Sequence, residues 1–389
     1  MIAAMDIRAL AKILILRSEG RNESLRDMLG VPMTDPGIDP VVDAVARWIL
    51  LAQERSSSRD GGVAAHYSLK TGWSSSYPET TGYIVPTLLD VARRRDDEVM
   101  RRGAERMLDW LVSIQFADGS FQGGNIDAQP CLPTVFNTGQ ILFGLVAGVT
   151  EFGERYAAPM SAAASWLVAN QDEDGAWRKF RSPFTSPGPK AYETHVAWAL
   201  LEADKITPGQ GYGEAAIRNI HWAISRQQEN GWFDDCCLGD PKAPLTHTIG
   251  YALRGVIEGW RHGADPSLLE SAVRSATALV NAVSADGRLA GRLDADWKAA
   301  SDWVCLTGSS QIAHCLIMLF QDTGDESFLA TAKALNRYVR RTVHLTGEEN
   351  SRGGVKGSFP THGSYGPHRF LNWAAKFTID SNLAEADLR

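Results

Sequence analysis

Three residues of the run THTIGYALRGVIEGW, His247, Tyr251 and Arg254, fall at i, i+4 and i+7. That spacing places them on one face of a helix. An imidazole base, a phenol acid and a guanidinium are the parts needed to remove a proton beside a carboxylate and to protonate a leaving oxygen. Asn137 joins Arg254 as a neutralising donor, and His195 is a second candidate base. Hydrolysis of a glycosidic bond instead needs an acid on one side and a base or nucleophile on the other. Glu79 is read as that acid, with Asp302 or Glu193 opposite. Hydrolysis, elimination and epimerisation all stay open at this point.

Aromatic residues surround these candidates in sequence. HYSLKTGWSSSYPETTGY carries Trp73, Tyr77 and Tyr83, the next candidate stretch carries Trp303, and GGVKGSFPTHGSYGPHRFLNW carries Lys356 and Trp373. Flat aromatic faces interleaved with hydrogen-bonding groups suit sugar rings, whereas an apolar polyene would call for fewer donors. The basic segment RKFRSPFTSPGPK offers its charges either to a chain of acidic sugars or to solvent.

The elements that must position these residues are set by a repeat. Gly119, Gly175, Gly231 and Gly287 lie 56 residues apart, each after Asp or Asn, and Trp110, Trp166 and Trp222 precede the first three by nine. Trp48 and Tyr338 extend the series to six units. An amphipathic segment such as MSAAASWLVANQ runs into each turn, and the glycine supplies a positive-φ stop. Thr81, Thr138, Thr194, Thr248 and Thr307 recur in a second phase, each opening a more apolar helical run, and are expected to be N-caps. RFLNWAAKFTI is the sixth such run. Strongly apolar helices require burial all round, so six hairpins closing into a double ring, apolar helices inside, satisfy the pattern. The expected fold is all-α, an (α/α)6 toroid over residues 39–389 behind an N-terminal helical extension, 1–38.

The phrase Gln171, Asp174, Gly175, Trp177 resembles the repeat of squalene cyclases and protein prenyltransferases. The ring is similar to the toroid those enzymes share with many glycoside hydrolases and polysaccharide lyases. The phrases SYPETTGY, DWVCLTGSSQ and GGVKGSFP resemble toroid proteins of bacterial polysaccharide gene clusters. The resemblance spans roughly residues 40 to 380 and implies fold far more strongly than chemistry. It implies a bowl where the N-termini of the inner helices converge, a setting that favours an anionic group such as a uronate carboxylate or a diphosphate. It also implies that the repeat Trp residues pack between outer helices. Asp235, Cys237 and His247, or His314 in place of His247, resemble the zinc ligands of protein prenyltransferases, but the histidine spacing differs and no metal or other cofactor is expected. The cyclase acid run Asp-x-Asp-Asp is missing, since the nearest phrase, DADW, ends in Trp297.

Bulk properties agree with such a body. Apolar residues are 44% and charged residues 22% of the 389, enough to bury a large core without metal or disulfide support. A net charge of −7 argues against a general partner among nucleic acids or anionic membranes. Five cysteines in no paired framework suggest reduced thiols and a cytoplasmic setting. The opening MIAAMDIRALAKILILRSEG is read as a short helix, neither signal peptide nor membrane span. The expected activity is cleavage or modification of an acidic, uronate-type polysaccharide or oligosaccharide by hydrolase, lyase or epimerase chemistry. A terpenoid cyclase or prenyltransferase-like enzyme, or a glycan-binding toroid without catalysis, are the alternatives.

Overall fold

A computed structural model describes residue 16 and residues 18–388. Most of the opening segment read as a short helix therefore lies outside the described residues. Among those described there are thirteen α-helices: α1 (Ser18–Met28), α2 (Ile38–Glu54), α3 (Pro78–Arg95), α4 (Glu98–Ser113), α5 (Val135–Phe152), α6 (Ala157–Ala169), α7 (Thr194–Ile206), α8 (Tyr212–Ile224), α9 (Thr246–Gly263), α10 (Pro266–Ala282), α11 (Leu306–Thr323), α12 (Glu326–Arg340) and α13 (Asn372–Ala386). The apolar helices α3, α5, α7, α9, α11 and α13 pack side by side as an inner ring, with α13 closing on α3, and α2 and the even-numbered helices from α4 to α12 lie outside. This is the all-α six-hairpin toroid. Helix α5 is long and apolar enough to cross a membrane, yet 72% of it is buried within the protein.

The pairing within the ring differs from the unit read in the sequence. Each tight antiparallel pair is an inner helix followed by the next outer one, as in α3–α4 and α11–α12, and the sixth pair joins α13 to α2. The two ends of the chain thus complete one hairpin between them, which removes the exposed terminal repeat that an open solenoid must cap. Strand β1 (His66–Ser68) reinforces this closure by pairing antiparallel with β5 (Arg369–Leu371), in the register Tyr67 opposite Phe370, and with β2 (Gly72–Trp73). A second pair, β3 (Val304–Cys305) and β4 (Ser358–Phe359), joins the loops before α11 and α13.

The glycine turns are the joints between neighbouring outer helices. Gly175 has φ +93°, and a Cβ there would lie 2.5 Å from the Arg218 carbonyl on α8. Gly119, Gly231 and Gly287 approach α6, α10 and α12 in the same way, and Gly353 meets Ala44 on α2 to close the ring. The glutamine of the repeat makes the same bridge with hydrogen bonds. Gln171 donates to the carbonyls of Gly175 and Ala215, at 3.0 and 2.8 Å, and Gln53, Gln115 and Gln227 do likewise between their own turns and the next helix. Trp48, Trp110 and Trp166 are buried beside these joints, with Trp222 half-buried.

The repeat threonines are not N-caps. Thr81 and Thr138 lie inside α3 and α5, where each hydroxyl donates four residues back and accepts the N–H of Val63 or Phe121 in the preceding extended piece, both at 3.0 Å. Thr248 ties α9 to the Cys236 carbonyl at 2.8 Å, and Thr194 donates instead to the Ala252 carbonyl of α9 at 3.0 Å. Side-chain caps occur on outer helices, where Asp97, Asp265 and Asp325 accept first-turn N–H groups. Five of the six inner helices have none, and at the sixth only the Cys305 sulfur accepts. Loop carbonyls take over part of that role: the first N–H of α5, α9, α11 and α13 is bonded to the carbonyl of Phe180, Gly291, Gly357 and Ala65 respectively.

Candidate active site

Inner-ring N-termini and the loops before them enclose a chamber of about 190 Å³ on the ring axis. Glu79, in the first turn of α3, is its one carboxyl group, and His247 its one imidazole. Tyr77, Tyr83, Tyr251, Tyr365 and Trp373 stand around them, and Phe136 and Tyr192 complete the aromatic wall. The chamber continues past Ser182, Phe184 and Thr185 into an outer cleft of about 640 Å³ that includes Leu132 and Phe180.

The Tyr77 hydroxyl donates to Glu79 Oε2 at 2.9 Å. Burial dominates the carboxyl all the same and raises its pKa to about 7, the Tyr77 bond acting in the opposite direction. Glu79 can therefore carry a proton at neutral pH and release it within the working range, as a general acid must. His247 is set the other way: burial lowers its pKa to about 4, so it is a neutral imidazole. Its Nδ1 lies 2.7 Å from Gln311 Oε1. An amide oxygen only accepts, so the proton is assigned to Nδ1 and the lone pair to Nε2. Tyr251 packs against His247 with ring centroids 4.5 Å apart, and Trp373 donates its indole N–H to the Tyr365 oxygen at 2.8 Å.

Tyr83, Tyr251, His195 and Phe377 form a partition across the axis below the chamber, the His195 and Tyr251 rings lying 4.4 Å apart. His195 repeats the arrangement of His247, with Nδ1 2.7 Å from Gln140 Oε1, but lines a second cavity on the far side. Arg254 lines that far cavity too. The inward-facing stripe of α9 is thus real, yet it is divided by depth: His247 and Tyr251 reach the chamber and Arg254 does not.

Other expected site residues are distributed as follows. Asn137 is buried beside the Tyr77 hydroxyl, and its amide nitrogen has no hydrogen-bond partner within 3.5 Å among the described residues. Glu193 is buried behind Tyr192, its pKa raised to about 8 by burial, and its Oε2 has no hydrogen-bond partner among the described residues. Asp302 is exposed outside the chamber, where its backbone carbonyl accepts from Arg288 at 2.7 Å. Trp303 is buried against Gly291 and Gly363 in a cluster with Leu238 and Tyr365, behind the chamber wall and not among its lining residues. Trp73 packs on Trp48 and Tyr67 and donates to Asn350 at 3.0 Å. Lys356 is a corrected expectation: it is 1% exposed and paired with Glu23 and Asp27 of α1, so it anchors that helix and has no face toward a ligand. In the basic segment, Arg178 is bound to Asp172 and Asp174 and Lys190 is buried against Ser186. No group of three His, Cys, Asp or Glu suited to a metal occurs among the described residues.

Phe136 and Tyr192 are wall residues outside the set expected from the sequence. Their signal was nevertheless in the repeat, because each stands two residues before its threonine, the position that Glu79 occupies before Thr81.

No protein-family model matches the chain. A squalene–hopene cyclase of Zymomonas mobilis is 28% identical over 164 residues, which is 40% of this chain and 21% of that enzyme. The match thus spans about a fifth of the cyclase. Solved structures are similar over nearly the whole chain. An unsaturated glucuronyl hydrolase specific for heparin has a TM-score of 0.72 and 14% identity, covering 91% of this chain and 98% of that one. A cellobiose 2-epimerase of Spirochaeta thermophila has a TM-score of 0.70 and 14% identity, covering 89% and 94%. An α-1,6-mannanase of a Salegentibacter species, held with mannotriose, has a TM-score of 0.63 and 12% identity, covering 90% and 97%. At these identities the likeness shows the fold: this chain has the all-α toroid of those carbohydrate enzymes.

Proposed function

We propose that the protein is a carbohydrate-active enzyme that moves a proton at one sugar ring held in the Glu79 chamber, with epimerase-type chemistry as the leading reading. The observation that carries it is the pairing of opposite protonation states, a neutral His247 and a protonated Glu79, in one aromatic chamber. His247 Nε2 takes the proton from the carbon next to a sugar carbonyl. In the ring-opened form of the sugar, the C–H electron pair becomes the C=C of an enediol as the carbonyl oxygen receives the Glu79 proton. Rotation about the adjacent C–C bond then turns the other face of the enediol to His247. Its imidazolium returns a proton to that face while the Glu79 carboxylate takes back the O–H proton, which restores the carbonyl and gives the epimer. Tyr251 and Tyr365 are further donors to the oxygen. The chamber holds a ring more readily than a polymer segment, and the outer cleft accommodates the rest of an oligosaccharide.

The uronate preference rests on less. No Lys or Arg lines the chamber, so a carboxylate there would be met by the uncapped helix N-termini alone, each worth about 0.3–1 kcal/mol. A neutral sugar end suits the wall better. Hydrolysis is the second reading: Glu193 is a second carboxyl with an unpartnered oxygen, close behind the chamber wall, and it would serve as the base only once ionised, above about pH 8. Asp302 is not proposed for this role, being outside.

Mass spectrometry after incubation in D2O with neutral and uronate oligosaccharides separates these readings. Proton transfer exchanges one carbon-bound hydrogen for deuterium in a sugar otherwise unchanged in mass. Hydrolysis adds one water per cut without that exchange, and elimination yields an unsaturated end at unchanged total mass. No change in any sugar would remove the enzyme reading in favour of a binding toroid.

A further inference from the structure

Below the partition the ring axis opens again, into a cavity of about 420 Å³ at the mouth where the inner helices end. Three side chains shape its floor. Lys376 is 5% exposed, bonds Asp380 and lies over the Phe377 and Tyr83 rings, at 4.3 and 5.3 Å. Arg254 stacks on Trp198 at 4.0 Å, donates from Nε to Glu258 at 2.8 Å and from Nη1 to His314 Nδ1 at 3.3 Å. Because that nitrogen accepts, His314 carries its proton on Nε2.

A count of hydrogen-bonding capacity gives the floor its character. Its acids are occupied, Asp380 by Lys376 and the Thr87 hydroxyl, Glu258 by Arg254. What remains unpaired is donor capacity: two N–H bonds of Lys376, Nη2 of Arg254 and Nε2–H of His314. Against them stand Nε2 of His195 and the lone pairs that Asp380 and Glu258 keep beyond these bonds. The rim charges neutralise each other, with Arg94 held by Asp90 and Asp387, and Glu202 by Trp198 and Lys205.

We infer that this second cavity binds a compact oxyanion, a carboxylate or phosphate group, through Lys376, Arg254 and His314. Charge-assisted bonds to an oxyanion use the spare donors of three side chains that face one cavity floor. Burial and the nearby Arg254 also lower the Lys376 pKa despite Asp380, so a further anion relieves a charge that is incompletely compensated. The site is separate from the Glu79 chamber and does not depend on the reaction proposed there.

Isothermal titration of the full chain with inorganic phosphate, with glucuronate and with glucose tests this. One or both anions bind in a way that depends on Arg254, whereas any binding of glucose, at the Glu79 chamber, does not. Arg254→Gln and Lys376→Met each weaken binding by about ten-fold or more, the worth of a hydrogen bond to a charged group, while Glu79→Gln leaves it unchanged. Arg254→Gln decides the matter if Lys376→Met does not fold. Phosphate binding alone assigns a phosphate ligand, and glucuronate alone a carboxylate. Absence of binding by both anions, or binding that survives Arg254→Gln or is lost with Glu79→Gln, overturns the proposal.

Discussion

The Tyr77 hydroxyl donates to Glu79 Oε2 across 2.9 Å, and this bond opposes the burial that holds the carboxyl protonated. Tyr77→Phe removes a donor that favours the ionised form, so the Glu79 pKa rises. The alkaline limb of the rate profile, expected near pH 7 in the parent, should move to higher pH in the variant. A limb that stays in place or moves down would take Glu79 out of the acid role.

Replacing Glu79 itself is the stronger test of catalysis. Glu79→Gln keeps the shape and removes the transferable proton, and turnover should fall by about 10²- to 10⁴-fold. The variant should remain folded by circular dichroism, because a neutral amide replaces a group that the fold already prefers neutral.

Gln311 is a positioning residue that acts through His247. Gln311→Leu frees the ring and its tautomer, and should lower kcat by about ten-fold, the worth of one buried hydrogen bond, with little change in KM. The Gln311 bond raises the His247 pKa, so its loss also shifts the acid limb to lower pH. A purely structural role would lower the folded fraction without moving that limb.

Stability should depend on pH with opposite signs from the two kinds of buried group. Glu79 and Glu193 have folded pKa values of about 7 and 8 against 4.5 unexposed to the fold, so their contribution is full below 4.5 and declines as pH rises through 7 to 8. His247, lowered from 6.5 to about 4, contributes fully above 6.5 and loses that contribution as pH falls to 4. Thermal unfolding across pH should fall on the alkaline side above 6.5, and Glu193→Gln should flatten that side. An unchanged alkaline slope in Glu193→Gln would show that the carboxyl is not buried.

The joints of the ring are testable without substrate. Gly175→Ala forces a Cβ to 2.5 Å from the Arg218 carbonyl at φ +93°, and should cost about 2–4 kcal/mol, as backbone strain and overpacking combine. Urea unfolding measures this, and a cost below 1 kcal/mol, the scale of strain alone, would mean that α8 gives way.

The sequence by itself determined the ring. A 56-residue recurrence of Gly turns, a glutamine four residues before three of the four, and alternating apolar and amphipathic helical runs reflect local rules of φ, hydrogen bonding and periodicity, and those are legible one unit at a time. The same phase marked the chamber floor, since Glu79, His247, Tyr251 and Tyr83 all stand near a repeat threonine. Depth along the axis and direction across it were decided only by tertiary structure. Arg254 shares the face of His247 but lies beyond the Tyr83–Tyr251 partition, Asp302 turns outward, and Lys356 is consumed by Glu23 and Asp27 more than 300 residues earlier. Helical periodicity fixes a side chain's angle around its own helix. Which cavity it meets, and whether its charge is already paired, depends on neighbours that the chain brings together only when α13 closes on α2 and α3.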